Sequence, residues 1–266
     1  MNRTSKWITR CLIVAAPIVV NGTISISPSQ AFSFADSRGE LTLDNFSQNA
    51  ENPTTDTNTN SIAIAGTGSS LALAAPQADA TALTNIFTQS SSASALGSGP
   101  SYFSRADASS VTSGIFATDG LFQFNFKASL SSIALALSPR ESATAKSLVG
   151  FSIFDTSNST TPIDVFQIST IVSNNRNTFD FKSSPFVTIR SFLQSPLGSD
   201  AEIEGTYSRD FGRSTNLLLA GITETSAVAQ VPEPPIAAAV MIVPGLIAWK
   251  RMRMAKQARS KVMIEQ

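Results

Sequence analysis

Leu121-Phe-Gln-Phe-Asn-Phe-Lys127 alternates apolar and polar residues without a break, and it constrains this chain more than any other feature. A period of two puts Phe122, Phe124 and Phe126 on one face and Gln123, Asn125 and Lys127 on the other, which suits a strand and not a helix. Similar runs follow at 133–137, 148–154, 163–172, 178–182, 186–190, 201–207 and 216–223, and 41–46 is a further one. Turn signals separate them: Ser138-Pro139, Asp155-Thr-Ser-Asn158, Asn174-Asn175, Ser184-Pro185 and Pro196-Leu-Gly198. No part of the body carries a sustained apolar period of 3.6 residues.

Short strands with one apolar face each need a second sheet to cover them. The expected fold class is therefore all-β: an antiparallel β-sandwich, jelly-roll-like. Asp119-Gly120 predicts a type I′ turn that pairs Ile115-Phe116 with Leu121-Phe122 as a hairpin. The phenylalanine stripe reads as core.

One composition shift divides the body. Twelve of the 17 phenylalanines lie from Phe116 to Phe211, whereas residues 47–114 are rich in Ser, Thr, Ala and Asn. In that stretch 53–60 and 90–94 read as turn-forming, low-complexity segments, with short strands at 62–64 and 71–73. Residues 32–114 are thus expected to be a partly flexible region with a few strands, and 115–230 the sandwich core.

The two ends carry addresses. Arg3, Lys6 and Arg10 precede an apolar run from Cys11 to Val20, and Ser29-Gln30-Ala31 is a small-x-small site. That is the layout of a signal peptide over 1–31, cleaved between Ala31 and Phe32. At the other end Val231-Pro232-Glu233-Pro234 precedes fourteen mostly apolar residues, 236–249, then Lys250, Arg251 and Arg253. Fourteen helical residues span roughly 21 Å against a hydrocarbon core of about 30 Å, so they suit a transient transmembrane helix better than a permanent one. The basic cluster belongs on the cytoplasmic side, with 255–266 as a basic cytoplasmic tail.

This ordered set resembles the PEP-CTERM sorting signal of exported bacterial proteins, here over 231–254. The resemblance implies an exosortase and the general export machinery as partners, and processing near Val231 to Pro234. It implies an inner-membrane precursor anchored by its C-terminal helix, then a destination in the cell envelope, surface or extracellular matrix.

Between the signals, residues 32–230 hold ten Lys/Arg against seventeen Asp/Glu, a net charge of −7. Such a body repels nucleic acid and anionic lipid. The chain has no histidine, and its one cysteine, Cys11, lies in the signal segment. Ser-His-Asp triads, Cys-His dyads and the usual zinc ligand sets are therefore ruled out for the mature chain, as is a disulfide. Carboxylates are what is left for chemistry. Asp200, Glu202 and Glu204 alternate on one strand face, a weak candidate for a hard cation or, with Asp210, for a glycosidase-like set. The plainer reading is a solvated strand face above Ala201 and Ile203, and of Asp155 to Asn158 an Asx-type turn. No cofactor or metal is expected.

The function expected is that of an exported, non-catalytic cell-surface or matrix protein. The alternative is a carbohydrate-binding module that takes extracellular polysaccharide. Against it, residues 32–230 hold no Trp and only Tyr102 and Tyr207 as rings of the kind sugar platforms use, Tyr207 being the one to test. A carboxylate-dependent glycan-active enzyme ranks behind both.

Overall fold

The computed structural model describes residues 31–66, 70–157, 161–174, 176–196 and 199–231. The expected signal peptide up to Gln30 and the segments beyond Val231 lie outside these residues. Twelve strands follow one another: β1 Phe32–Asp44, β2 Glu51–Ala65, β3 Leu71–Ala82, β4 Ile86–Ser98, β5 Tyr102–Thr118 and β6 Leu121–Ala136. Then come β7 Ser142–Asp155, β8 Asp164–Ser173, β9 Arg176–Ser183, β10 Val187–Gln194, β11 Asp200–Asp210 and β12 Thr215–Val231.

The strands form two six-stranded sheets, both antiparallel throughout, consistent with a β-sandwich. One has the order β10-β11-β6-β1-β4-β3 and the other β2-β5-β12-β7-β8-β9. The first six strands pair in a nested way: β3 with β4, β2 with β5, and β1 with β6, the sheets alternating from pair to pair. Both strands at one side of the sandwich, β2 and β3, are edges and carry Pro53 and Pro76. A proline removes a ladder donor, which blunts an edge against pairing with another chain. Pro53 sits at a register shift in β2, next to Asn52 with φ 49°.

Two differences from the sequence reading concern turns. β5 and β6 do not form a hairpin: β5 pairs with β12 and β2, and β6 with β1 and β11, in opposite sheets. Asp119-Gly120 is a corner between the sheets. Of the two only Gly120 has a positive φ, 153°, whereas a type I′ turn needs a positive φ at both central residues. Both flanking segments have an apolar inward face, and covering those faces with each other satisfies them better than laying them side by side. The segments at 53–60 and 90–94 are likewise strand, within β2 and β4. The runs at 121–127 and 133–137 belong to one strand, β6, ending at Ala136. The expected boundary at 114/115 falls inside β5.

The interior has two halves of different chemistry. One is aromatic: Phe87, Phe116, Phe122, Phe124, Phe126, Phe151, Phe166 and Tyr207 are buried with Leu41, Leu43, Leu217 and Leu219. Phe124 touches Phe46, Phe122, Phe151 and Tyr207, with ring centroids 5.1–5.6 Å apart. The other half is alanine from both sheets, Ala35, Ala93 and Ala95 against Ala106, Ala143, Ala145, Ala227 and Ala229, with Tyr102 as its ring. Tyr102 fills the space a Cβ on Gly97 would need.

Between the halves, serines reach across to the backbone of the opposite sheet. Ser37 Oγ donates to the Ser226 carbonyl at 3.2 Å, Ser110 Oγ to Ser90 at 3.2 Å and Ser147 Oγ to Arg38 at 3.0 Å. Ser104 Oγ donates to the Leu73 carbonyl in the same way. A side chain as short as serine makes such a bond only where the sheets lie closer than the usual spacing of about 10 Å. The Ser- and Ala-rich composition of 47–114 is thus what two closely stacked sheets require, since each small residue lets the opposite backbone approach.

The chain's two tyrosines, Tyr102 and Tyr207, are both buried. Burial pushes the Tyr102 hydroxyl up from 10.0 to about 12, partly offset by its hydrogen bond to Ser33. Burial also raises Tyr207, and its bond to the Asp164 carboxylate adds to the effect. Because the folded state disfavours the phenolate, stability holds below the ordinary value near 10 and falls as pH climbs through 12. Each group contributes a slope of about 1.4 kcal/mol per pH unit within its window. Tyrosinate absorbance is therefore expected to stay flat in the native protein near pH 10, where an exposed phenol ionises, and to rise only toward pH 12 or with loss of the β-sheet circular dichroism signal. A tyrosinate signal from the folded protein near pH 10 would contradict this burial.

Candidate functional site

The outer face of the first sheet carries most of the polar chemistry. Strand register sets it in rows: Asp79, Ser90, Glu40, Ser129 and Glu202 stand side by side across β3, β4, β1, β6 and β11. On one side of that row lie Gln77, Ser92, Arg38, Ser131 and Asp200, and on the other Thr81, Thr88, Thr42, Lys127 and Glu204. Two shallow depressions, of ≈ 200 and ≈ 460 Å³, share Glu40, Asp79 and Ser90. Nearby, burial raises the carboxyl of Asp36, against the pull of Arg38 and Ser94.

Asp200, Glu202 and Glu204 share this face, above the buried Ala201 and Ile203. Each has protein partners. Lys127 Nζ lies 2.5 Å from Glu202 and 2.7 Å from Glu204, and these two bonds hold its ammonium above the ordinary value of 10.5. Asp200 accepts from Ser131 Oγ at 2.6 Å and Ser199 Oγ at 2.8 Å. Among the described residues no three His, Cys, Asp or Glu side chains converge as a metal site would require. Asp210 ends the eleven-residue strand that Asp200 begins. That puts them roughly 33 Å apart at about 3.3 Å per residue, against the 5–10 Å of a glycosidase pair. Asp210 accepts instead from the Gly212 backbone at 2.8 Å. At the β7–β8 turn Asp155 accepts from Ser157 N at 2.9 Å and Oγ at 2.6 Å, an Asx turn that lowers its pKa.

Neither tyrosine can be a sugar platform. Tyr207 is sealed in the aromatic half and Tyr102 in the alanine half. Tyr207 shares the parity of the buried Ala201 and Ile203 on β11, and inward is where it points.

Two carboxylates missed in the sequence are the most deeply placed. Asp164 opens β8 and is buried; its Oδ2 accepts from Tyr207 Oη and Arg209 Nη1, both at 2.7 Å. The Arg209 guanidinium lies 4.6 Å from the Phe186 ring and 4.7 Å from that of Phe211. Glu141, between β6 and β7, is the other. Glu141 lies outside any strand and gives no periodic signal, whereas Asp164 shares the parity of Phe166 and Ile168 in the run 163–172, the signal that could have found it.

The ends of the body meet at one pole. Phe32 starts β1 opposite Ser98, and Val231 ends β12 opposite Tyr102, whose hydroxyl donates to Ser33 Oγ at 2.8 Å. Outward-facing apolar side chains gather there: Leu71 and Leu73 on β3, Ile133 and Leu135 on β6, Leu137 just after it, and Ile64 on β2, all exposed. The processing residues Pro232, Glu233 and Pro234 and the basic residues Lys250, Arg251 and Arg253 lie outside the described residues. Searched against protein-family models and against curated proteins, the sequence matches none.

Proposed function

We propose that the chain is an exported, non-catalytic cell-surface or extracellular-matrix protein, sorted by an exosortase through Val231-Pro232-Glu233-Pro234. The observation that carries the reading is the common pole. Both ends of the body emerge beside an outward apolar collar, and only four residues, 232–235, separate Val231 from the apolar segment that starts at Ile236. Four residues reach at most about 14 Å. A membrane holding 236–249 would therefore lie against this pole, with the processing residues at the boundary. The body itself is proposed to be a jelly-roll-like sandwich, and the nested pairing of β1 to β6 supports that wiring.

Glu233→Ala tests the sorting. Insertion rests on the apolar and basic segments, which the substitution leaves intact. Full-length, membrane-held precursor is expected to accumulate, and mass spectrometry of envelope and medium should find Trp249-containing peptides only in the variant. Such peptides in most of the wild-type mature protein would overturn the reading.

A second reading, an exopolysaccharide-binding module, rests on the Glu40–Asp79 depressions. Pull-down of the exported protein on polysaccharide, lost in Glu40→Gln/Asp79→Asn, would favour it.

A further inference from the structure

Glu141 is 3% exposed, and among the described residues no lysine or arginine side chain pairs with it. Its Oε2 accepts from the backbone N–H of Leu137 at 2.8 Å and of Ser138 at 3.3 Å. Its Oε1 accepts from the backbone nitrogen of Phe32 at 2.7 Å, 109 residues away in sequence. The residue is held in place on both sides: its N–H donates to the Ser138 carbonyl at 3.0 Å, and its carbonyl accepts from Asn174 Nδ2 at 2.9 Å. Asn174 Oδ1 in turn accepts from Ala143 N at 3.0 Å. Nearby titratable or charged groups are the Tyr102 hydroxyl, which bonds Ser33, and Arg140, which is exposed. A buried carboxylate is costly without a counter-charge. Here its best-placed donor is the nitrogen of the residue that follows the small-x-small site.

We propose that Glu141 is a binding site for an α-ammonium group, the one that signal-peptide removal creates on Phe32. The proposal rests on reading Ser29-Gln30-Ala31 as the cleavage site. The export machinery's peptidase adds water across the Ala31–Phe32 bond. The C–N bond breaks, Ala31 keeps the carboxylate, and the Phe32 nitrogen carries the protons as an ammonium. The nitrogen already within hydrogen-bond distance of Oε1 thereby gains a full positive charge, and a bond from an uncharged peptide N–H to the carboxylate becomes an ion pair. Cleavage gives up the Gly99 N–H bond to the Ala31 carbonyl at 2.9 Å and the packing of Ala31 against the alanine half, and water takes the space Ala31 leaves. Processing then completes the fold at the pole: β1 is locked to the β6–β7 turn by a charge the precursor does not have.

The test uses the full chain, exported by a bacterial host and isolated after processing. Mass spectrometry reads its N-terminal residue, and the protein is treated at neutral pH with an amine-acylating ester. An ammonium held on a buried carboxylate is protonated and shielded, so acylation of the Phe32 amine should be at least about tenfold slower in wild type than in Glu141→Gln. Should Glu141→Gln fail to fold, a variant with one alanine inserted between Ala31 and Phe32 keeps the carboxylate and moves the ammonium off it. That amine should also react at the faster rate. Equal rates in wild type and the inserted variant, with Phe32 shown to be the wild-type terminus, would overturn the site while leaving the export reading intact. A terminus other than Phe32 would overturn both the cleavage position and the proposal.

Discussion

Phe124→Ala is expected to remove roughly 3–5 kcal/mol of folding stability, a large share of the about 5–15 kcal/mol that holds a native protein together. Phe124 is fully buried and meets four other rings from β6, β7, β11 and the segment after β1. Removing it forfeits the transfer free energy and the ring contacts, and neighbours fixed on both sheets can close the void only in part. Chemical denaturation should show a lower midpoint with an unchanged slope. Leu137→Ser makes the contrasting case: with 61% of its surface exposed, it should shift stability by no more than about 0.5 kcal/mol. Similar losses from the two variants would mean that the aromatic half is not the core.

Arg209→Met is expected to cost about 3 kcal/mol, because it strands the buried Asp164 carboxylate with Tyr207 as its remaining side-chain partner. The guanidinium is partly exposed, at 27%, so the figure sits at the low end of what breaking a buried pair costs. Asp164→Asn/Arg209→Met removes the stranded charge, and the double variant should recover at least half of the loss. A double-mutant cycle by denaturation checks it, and no recovery would show that Arg209 acts by packing between Phe186 and Phe211. Lys127 gives the opposite expectation. Its partners Glu202 and Glu204 lie on an open face, and Lys127→Ala should cost no more than about 1 kcal/mol.

The all-β class and most strands could be read directly, because alternation is a local signal and β6, β7, β8 and β11 display it. The turns at Ser138-Pro139 and Ser184-Pro185 could be read because turn residues are a local signal too. Pairing could not: Asp119-Gly120 marks a reversal, but whether a reversal stays in one sheet or crosses to the other depends on partners far along the chain. The close-packed half was hidden by its own composition. Ser90 to Ser94 looks like a loop by residue type, yet Ser91 and Ala93 are buried in β4. Of the candidate site, the shared face of Asp200, Glu202 and Glu204 follows from period two. The pairing of Lys127 with Glu202 and Glu204 and the partners of the two buried carboxylates do not, since cross-strand contacts are set by register.

β1 and β12 are interior strands, each with a neighbour on both sides, and Ser37 ties one to the other. β12 pairs with β5 along its length and with β7 from Leu217 to Gln230. Whether the chain emerges from a ribosome or from a translocation pore, it does so N-terminus first, and until residues 215–231 are free β5 and β7 have no strand to join them. Half-made sandwiches would show open, Ser-rich edges and an uncovered aromatic face, so folding is expected to be late, slow and all at once. Delay of that kind keeps a chain threadable. The strand that completes the second sheet is also the one next to the proposed membrane tether, so the step that ends threading and the step that starts folding would fall within a few residues of each other.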